Sequence, residues 1–101
     1  MSGVAHTPGP WIAEWESFDK EIEIVSLSEG VVVASVDYDD VEHDVAEADA
    51  HLIAAAPELL EALEALRLQA LQSKLADDTH PYVREAFEKA NAAIAKARGK
   101  A

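Results

Sequence analysis

His43, Glu47 and His51 recur at steps of four, a spacing that sets two imidazoles and a carboxylate along one face of a helix. That donor set suits zinc or another divalent ion, but it offers three ligands where a structural zinc site takes four. His43 also falls where the helix is only beginning. A solvated polar face is therefore the preferred reading, and no metal is expected. Just upstream, Asp37, Asp39, Asp40, Glu42 and Asp44 gather the carboxylates that calcium or magnesium would take. The run lacks the glycine that a calcium loop carries at its sixth position and a properly placed bidentate glutamate. It reads as an acidic connector in water. None of Ser17, Ser26, Ser28, Ser35 or Ser73 sits in a G-x-S-x-G turn. The four glycines form no phosphate-cradling loop. Acids are abundant, but nothing singles out a pair for proton transfer. No enzymatic activity and no cofactor are expected.

Trp11 and Trp15 lie four apart, which on a strand places both on one face. Such a pair could stack on a base or on a partner's arginine. In a small domain with six aromatics it more commonly supplies the aromatic mass of the core. One tryptophan partly exposed and one buried is the expected compromise.

Charge constrains partners more than any of these motifs. Residues 1–66 hold sixteen acidic side chains against Lys20 alone, whereas residues 67–101 hold four acids and seven bases. The chain carries −12 overall. Such a field repels phosphate backbones and attracts basic protein surfaces, so direct nucleic-acid binding is disfavoured. A rigid acidic surface can instead imitate the charge spacing of a nucleic acid and occupy a protein that binds one.

The elements that must carry these residues follow from periodicity. Pro8 and Pro10 exclude regular helix from the first ten residues. Trp11 to Trp15 and Glu21 to Ile24 alternate apolar and charged residues, as half-buried strands do. Ser28-Glu29-Gly30 signals a turn, and the β-branched run Val31 to Val36 follows as a hairpin partner. From about Val45 the pattern becomes helical, and Pro57 separates a short helix over 45–56 from a long one over 58–76. Asp77 to Pro81 is a loop in which Thr79 can cap a third helix over 80–98, with Gly99 as its stop. The expectation is a single α+β domain: a lead-in over 1–10, a three-stranded antiparallel sheet within 11–36, a short helix, and an antiparallel helical hairpin whose small residues let the backbones approach closely.

The chain has 101 residues, half of them hydrophobic but many of those alanine, so the core should be thin. Leucine and alanine stripes then extend beyond what one chain can cover, predicting a homodimer or larger. No cysteine is present, which excludes disulfides and thiolate metal sites. No apolar run approaches the roughly 20 residues of a membrane span, and the first residues have neither a basic nor an apolar leader region. A cytoplasmic protein without membrane contact is expected.

Two stretches, His6-Thr7-Pro8-Gly9-Pro10-Trp11 and Ala48-Asp49-Ala50-His51-Leu52-Ile53-Ala54-Ala55-Ala56-Pro57-Glu58-Leu59-Leu60-Glu61-Ala62-Leu63, resemble motifs of a group of small bacteriophage and prophage accessory proteins. The order and approximate separation agree, and the motifs cover about a fifth of the chain. The resemblance implies a phage or prophage origin and a non-essential, host-facing role. It brings no activity, cofactor or catalytic residue. Members of the group commonly have Asn or Arg where Asp49 and His51 stand here, so these two are poor candidates for a shared site.

Two functions of different kinds follow. In the first, Asp37, Asp39, Asp40, Glu42, Asp44 and Glu47, with Glu14, Glu16, Glu21 and Glu23, meet a basic surface on a host protein, a component of antiviral defence, and block it. In the second, the chain sequesters a nucleotide-like defence signal between protomers, using His6, Thr7, Trp11, Tyr82 and Arg84 together with helix N-termini. A structural or scaffold part without a ligand is the third reading.

Overall fold

The computed structural model describes residues 5–16, 20–38, 42–73 and 81–99. The architecture is α+β: three strands, β1 (Trp11–Glu16), β2 (Glu21–Ser26) and β3 (Val31–Asp37), then three helices, α1 (His43–Ala54), α2 (Ala56–Gln72) and α3 (Pro81–Ala97). The chain divides into two compact units, 1–58 and 59–101, with the division falling inside α2.

In the first unit the strands form an antiparallel meander in the order β1-β2-β3. The β2–β3 turn spans Leu27 to Gly30, where Gly30 adopts φ 68° and its amide closes on the Ser26 carbonyl at 2.8 Å. That left-handed conformation is the reason glycine stands there. The β1–β2 connection passes through Lys20, a non-glycine residue at φ 54°. Alternation along β2 is complete: Ile22, Ile24 and Ser26 are buried, while Glu21, Glu23 and Val25 are half-buried on the other face. α1 lies on the Ile22–Ile24 face through Ala46 and Ala50, both essentially inaccessible. Trp11, Ala13, Ala34, Val36, Tyr38, Ile53 and Ala54 surround these four. The core is as thin as the alanine content suggests.

The helix boundaries differ from expectation. α1 starts at His43 rather than 45 and ends at Ala54, and α2 already begins at Ala56. A single residue, Ala55, separates them. Pro57 is the cause: it has no amide to bond back to Ile53, and cap backbone N–H groups reach the His51 and Ile53 carbonyls instead. α2 is shorter than expected within the described residues, ending at Gln72. Pro81 opens α3 and Gly99, at φ 75°, closes it with its amide on Lys96. Thr79, the expected cap, lies outside the described residues.

The lead-in is an ordered turn. Trp11 Nε1 donates to the Thr7 carbonyl at 3.0 Å, and His6 Nδ1 donates to the same oxygen at 2.9 Å. The fully buried Ser26 Oγ donates to the Pro8 carbonyl at 2.7 Å and accepts the Glu29 amide at 3.3 Å. One β2 side chain thus joins the lead-in to the hairpin turn. Ser26→Ala is expected to cost about 1 kcal/mol in urea unfolding, a typical net value for one hydrogen bond. The loss is limited because Ser28 Oγ also reaches the Pro8 oxygen, at 3.4 Å. No change in the unfolding midpoint would show that this link carries no stability.

In the second unit, Arg98 forks onto both oxygens of Glu64, at 2.8 and 2.9 Å from Nη2, and Arg67 donates to Asn91 Oδ1 at 3.3 Å. The pairs 64–98 and 67–91 run in opposite directions, so α2 and α3 are antiparallel, as expected. Their backbones do not approach closely, contrary to the reading of their alanines. The reason is rotational: Ala86, Ala93 and Ala97 are exposed, while Val83, Phe87, Ala90, Asn91 and Ile94 form the more protected side of α3.

Candidate interaction surface

The strand register decides what the uncovered face of the sheet presents. Trp11, Ala13 and Trp15 pair with Ser26, Ile24 and Ile22, and so share the α1 side. Ile12 and Glu14 therefore belong to the opposite face, paired with Val25 and Glu23. β3 continues these rows with Val32 beside Val25, Ser35 beside Glu23 and Asp37 beside Glu21. An irregularity between Ile24 and Val25 keeps Val32 in the row, with Val33 as the extra residue. The face thus has an apolar end at Ile12, Val25 and Val32. Its other end is acidic, with Glu14 opposite Glu23 and Glu21 beside Asp37. Val32 is 53% exposed at this face, and Leu27 and Val31 are exposed at the same hairpin end.

Directly opposed carboxylates in a sheet are destabilising, and small proteins ordinarily alternate charge across strands. Here the rows repeat the same sign. The acids Asp44, Glu47 and Asp49 are instead on α1, exposed, and α1 covers the other face of the sheet. The described members of the predicted partner-binding set belong to different elements. Asp37 belongs with the sheet rows, Glu42 precedes α1, Asp44 and Glu47 lie on its outer side, and Asp39 and Asp40 fall outside the described residues. The apolar end of the sheet face was missed in the sequence reading, although the same two-residue alternation that placed Ile22 and Ile24 inside placed Val25 outside.

The His43–Glu47–His51 face does not assemble. His43 turns away to stack on Trp15, with ring centroids 4.7 Å apart and planes 18° apart. Tyr38 closes the cluster edge-on to both rings, at 5.6 Å from Trp15 and 5.2 Å from His43. Glu47 and His51 remain as an exposed pair at 3.9 Å. Among the described residues, no three His, Asp or Glu side chains converge in a way that could hold a metal ion. The tryptophans divide nearly as expected: Trp11 is half-buried against the core and Trp15 is 44% exposed, so neither is fully buried.

His6, Thr7 and Trp11 are brought together in the lead-in, but their polar atoms bond one another, and the His6 ring packs edge-on against Trp11 at 6.0 Å. That is the arrangement of a structural turn. Tyr82 and Arg84 belong to the second unit. Tyr82 is 88% exposed, and Arg84 Nε lies 3.3 Å from Glu88. The hollow beside them is lined by Pro81, Arg84, Glu85 and Glu88, and two carboxylates oppose an anionic ligand there. Among the described residues no helix is long and apolar enough to cross a membrane.

The two motif segments meet in space. A Cβ on Gly9 would lie 3.3 Å from Pro57 Cβ and 3.7 Å from a Glu58 carboxylate oxygen, so the lead-in rests directly on the start of α2. A side chain at position 9 would have to displace Pro57 by a few tenths of an ångström. The family model described as Salmonella phage P22 protein Y8K6 matches residues 1–101. No curated protein and no solved structure matches the chain. Because the match spans the entire chain, this protein belongs to the phage family of Salmonella phage P22 protein Y8K6.

Proposed function

We propose that this phage protein is a non-enzymatic accessory protein that binds a basic host protein, a component of antiviral defence, and blocks it through the open face of its sheet. The observation that carries this reading is the same-sign pairing of Glu14 with Glu23. A fold retains such rows at a cost in stability, and a basic partner would offset that cost. The adjoining Ile12, Val25 and Val32 supply the apolar contact that charge alone lacks. An extended or flat basic surface with one hydrophobic anchor is the complementary shape. Phage membership supports a host-facing role.

The test compares the chain with a Glu14→Gln/Glu23→Gln variant. Both are immobilised and exposed to host lysate at about 50 mM and about 500 mM salt, across which surface electrostatics are progressively screened. A host protein retained stoichiometrically at low salt, lost in the variant, and inhibited by the chain in its own assay is the expected result. The variant should also be more stable, by about 0.2–1 kcal/mol, because a like-charge cross-strand pair is removed. Lost binding with gained stability separates recognition from unfolding. No retained partner at low salt sinks the inhibitor reading, and co-purification with virions would put the scaffold reading in its place.

A further inference from the structure

We infer that the basic partner proposed above contributes an extended segment that joins the three-stranded sheet as a further strand, antiparallel to β1; this rests on that reading of the open face. The ladder bonds decide which backbone groups are open to it. The Leu27 amide donates to the Pro10 carbonyl, one step before the Trp11–Ser26 pair. Bonded and non-bonded pairs alternate in an antiparallel ladder, so Ile12 with Val25 and Glu14 with Glu23 exchange the β1–β2 bonds. The backbone N–H and C=O groups of Trp11, Ala13 and Trp15 therefore point away from β2. The β2–β3 ladder agrees: the Tyr38 amide donates to the Lys20 carbonyl, which makes Ile22 and Ile24 the residues of β2 that bond to β3. Among the described residues, no turn or loop backbone bond takes the outward groups of β1.

The two outer strands, β1 and β3, differ as edges. β3 is irregular beside Ile24 and Val25, and a bulge twists an edge away from an added strand. β1 keeps an unbroken register over all six of its residues. It contains neither proline nor lysine, the residues that commonly blunt an edge. β1 is therefore the edge that can template pairing.

Charge selects the occupant. Residues 1–58 hold fourteen acids and Lys20 alone, a net −13, so two such units repel and a second copy is the wrong strand. A strand beside β1 extends the open-face rows by one position. Its side chains there stand next to Glu14, which already faces Glu23, and next to Ile12, which already faces Val25. The first place takes Lys or Arg and the second an aliphatic residue, two positions apart. A cation entering the first row relieves the repulsion between Glu14 and Glu23, so the pair that costs stability in the free chain favours the complex. Main-chain bonds to Ala13 and Trp15 supply affinity, and the two rows supply specificity.

The probe is a synthetic peptide, acetyl-Thr-Arg-Thr-Lys-Thr-Val-Thr-amide. Laid antiparallel to β1 with Lys beside Glu14, it places Val beside Ile12 and turns its threonine amides toward β1. Titrated into the full chain at about 50 mM salt, it should bind with a Kd of about 100 µM and slow hydrogen exchange at the Ala13 and Trp15 amides. N-methylating the two inner threonines removes donors that face β1 and should weaken binding at least ~10-fold. N-methylating Lys and Val, whose amides face away, should leave it nearly unchanged. Ala13→Pro deletes an outward amide without breaking a β1–β2 bond, and should keep the far-UV CD while weakening binding at least ~10-fold. If that variant fails to fold, the two methylated peptides still decide. Equal binding by both methylated peptides places the contact on the face and not the edge, which overturns the inference and leaves the basic-partner reading standing. No binding of the parent peptide at about 50 mM salt also overturns it, as does equal binding of a peptide with Glu in place of Arg and Lys; the lysate experiment judges the basic partner separately.

Discussion

Ile24→Ala is expected to destabilise the sheet unit by about 2–5 kcal/mol, toward the upper end of that range. Ile24 is 0% exposed, and the buried core of this unit comprises Ile22, Ile24, Ala46 and Ala50. Two of those four are alanines, so the isoleucines contribute most of the buried apolar area. The cavity cannot collapse readily. Ile24 is flanked across the strands by Ala13 and Ala34, and no larger side chain stands beside it in the row to swing inward. A domain typically has only about 5–15 kcal/mol to lose, and a unit of this size stands at the low end. Both tryptophans lie in this unit, so intrinsic fluorescence during urea unfolding reports on it directly. A change below about 1 kcal/mol would mean that the sheet–α1 contact does not hold the unit together.

The second large effect runs the other way in volume. Ala50→Leu should cost about 1–3 kcal/mol by overpacking. Ala50 is 1% exposed where α1 rests on the sheet, and the added branched chain has nowhere to go without lifting the helix. The exposed Ala48, two residues earlier on the same helix, provides the control. Ala48→Leu should stay within about 0.5 kcal/mol of the parent. Equal effects at both positions would show that α1 is not seated through its alanines.

These two expectations explain why the motif around α1 and α2 is alanine-rich. Small side chains at Ala46 and Ala50 let the helix lie against Ile22 and Ile24, and the Pro57 break then brings the start of α2 under the lead-in, where Gly9 touches it. Two stretches that resemble a phage motif separately in the sequence are one packing contact in the fold. Their separation along the chain concealed this, because sequence spacing carries no information on which loops meet.

Much of the architecture was legible because local physics sufficed. Alternation at Glu21-Ile22-Glu23-Ile24 specified a half-buried strand, Gly30 specified the turn, and Pro57, Pro81 and Gly99 marked helix ends within one or two residues. What spacing alone left open shares a cause. His43, Glu47 and His51 have helical spacing, but the neighbours of His43 are the rings of Trp15 and Tyr38, contributed by other elements. The alanines of α3 fit close helix packing by composition, yet rotation about the helix axis turns several of them outward.

By itself the amino-acid order determined the classes of element, their sequence along the chain and the acidic excess of the first half, since propensity, proline geometry and side-chain charge act within a few residues. Only the tertiary structure decided that Glu14, Glu21, Glu23 and Asp37 share a face with Val25 and Val32 while Asp44 and Glu47 lie on the helix covering the opposite one. Register and the seating of α1 set that division. Both depend on contacts between distant residues, and it is there that a surplus of charge becomes a surface with a direction.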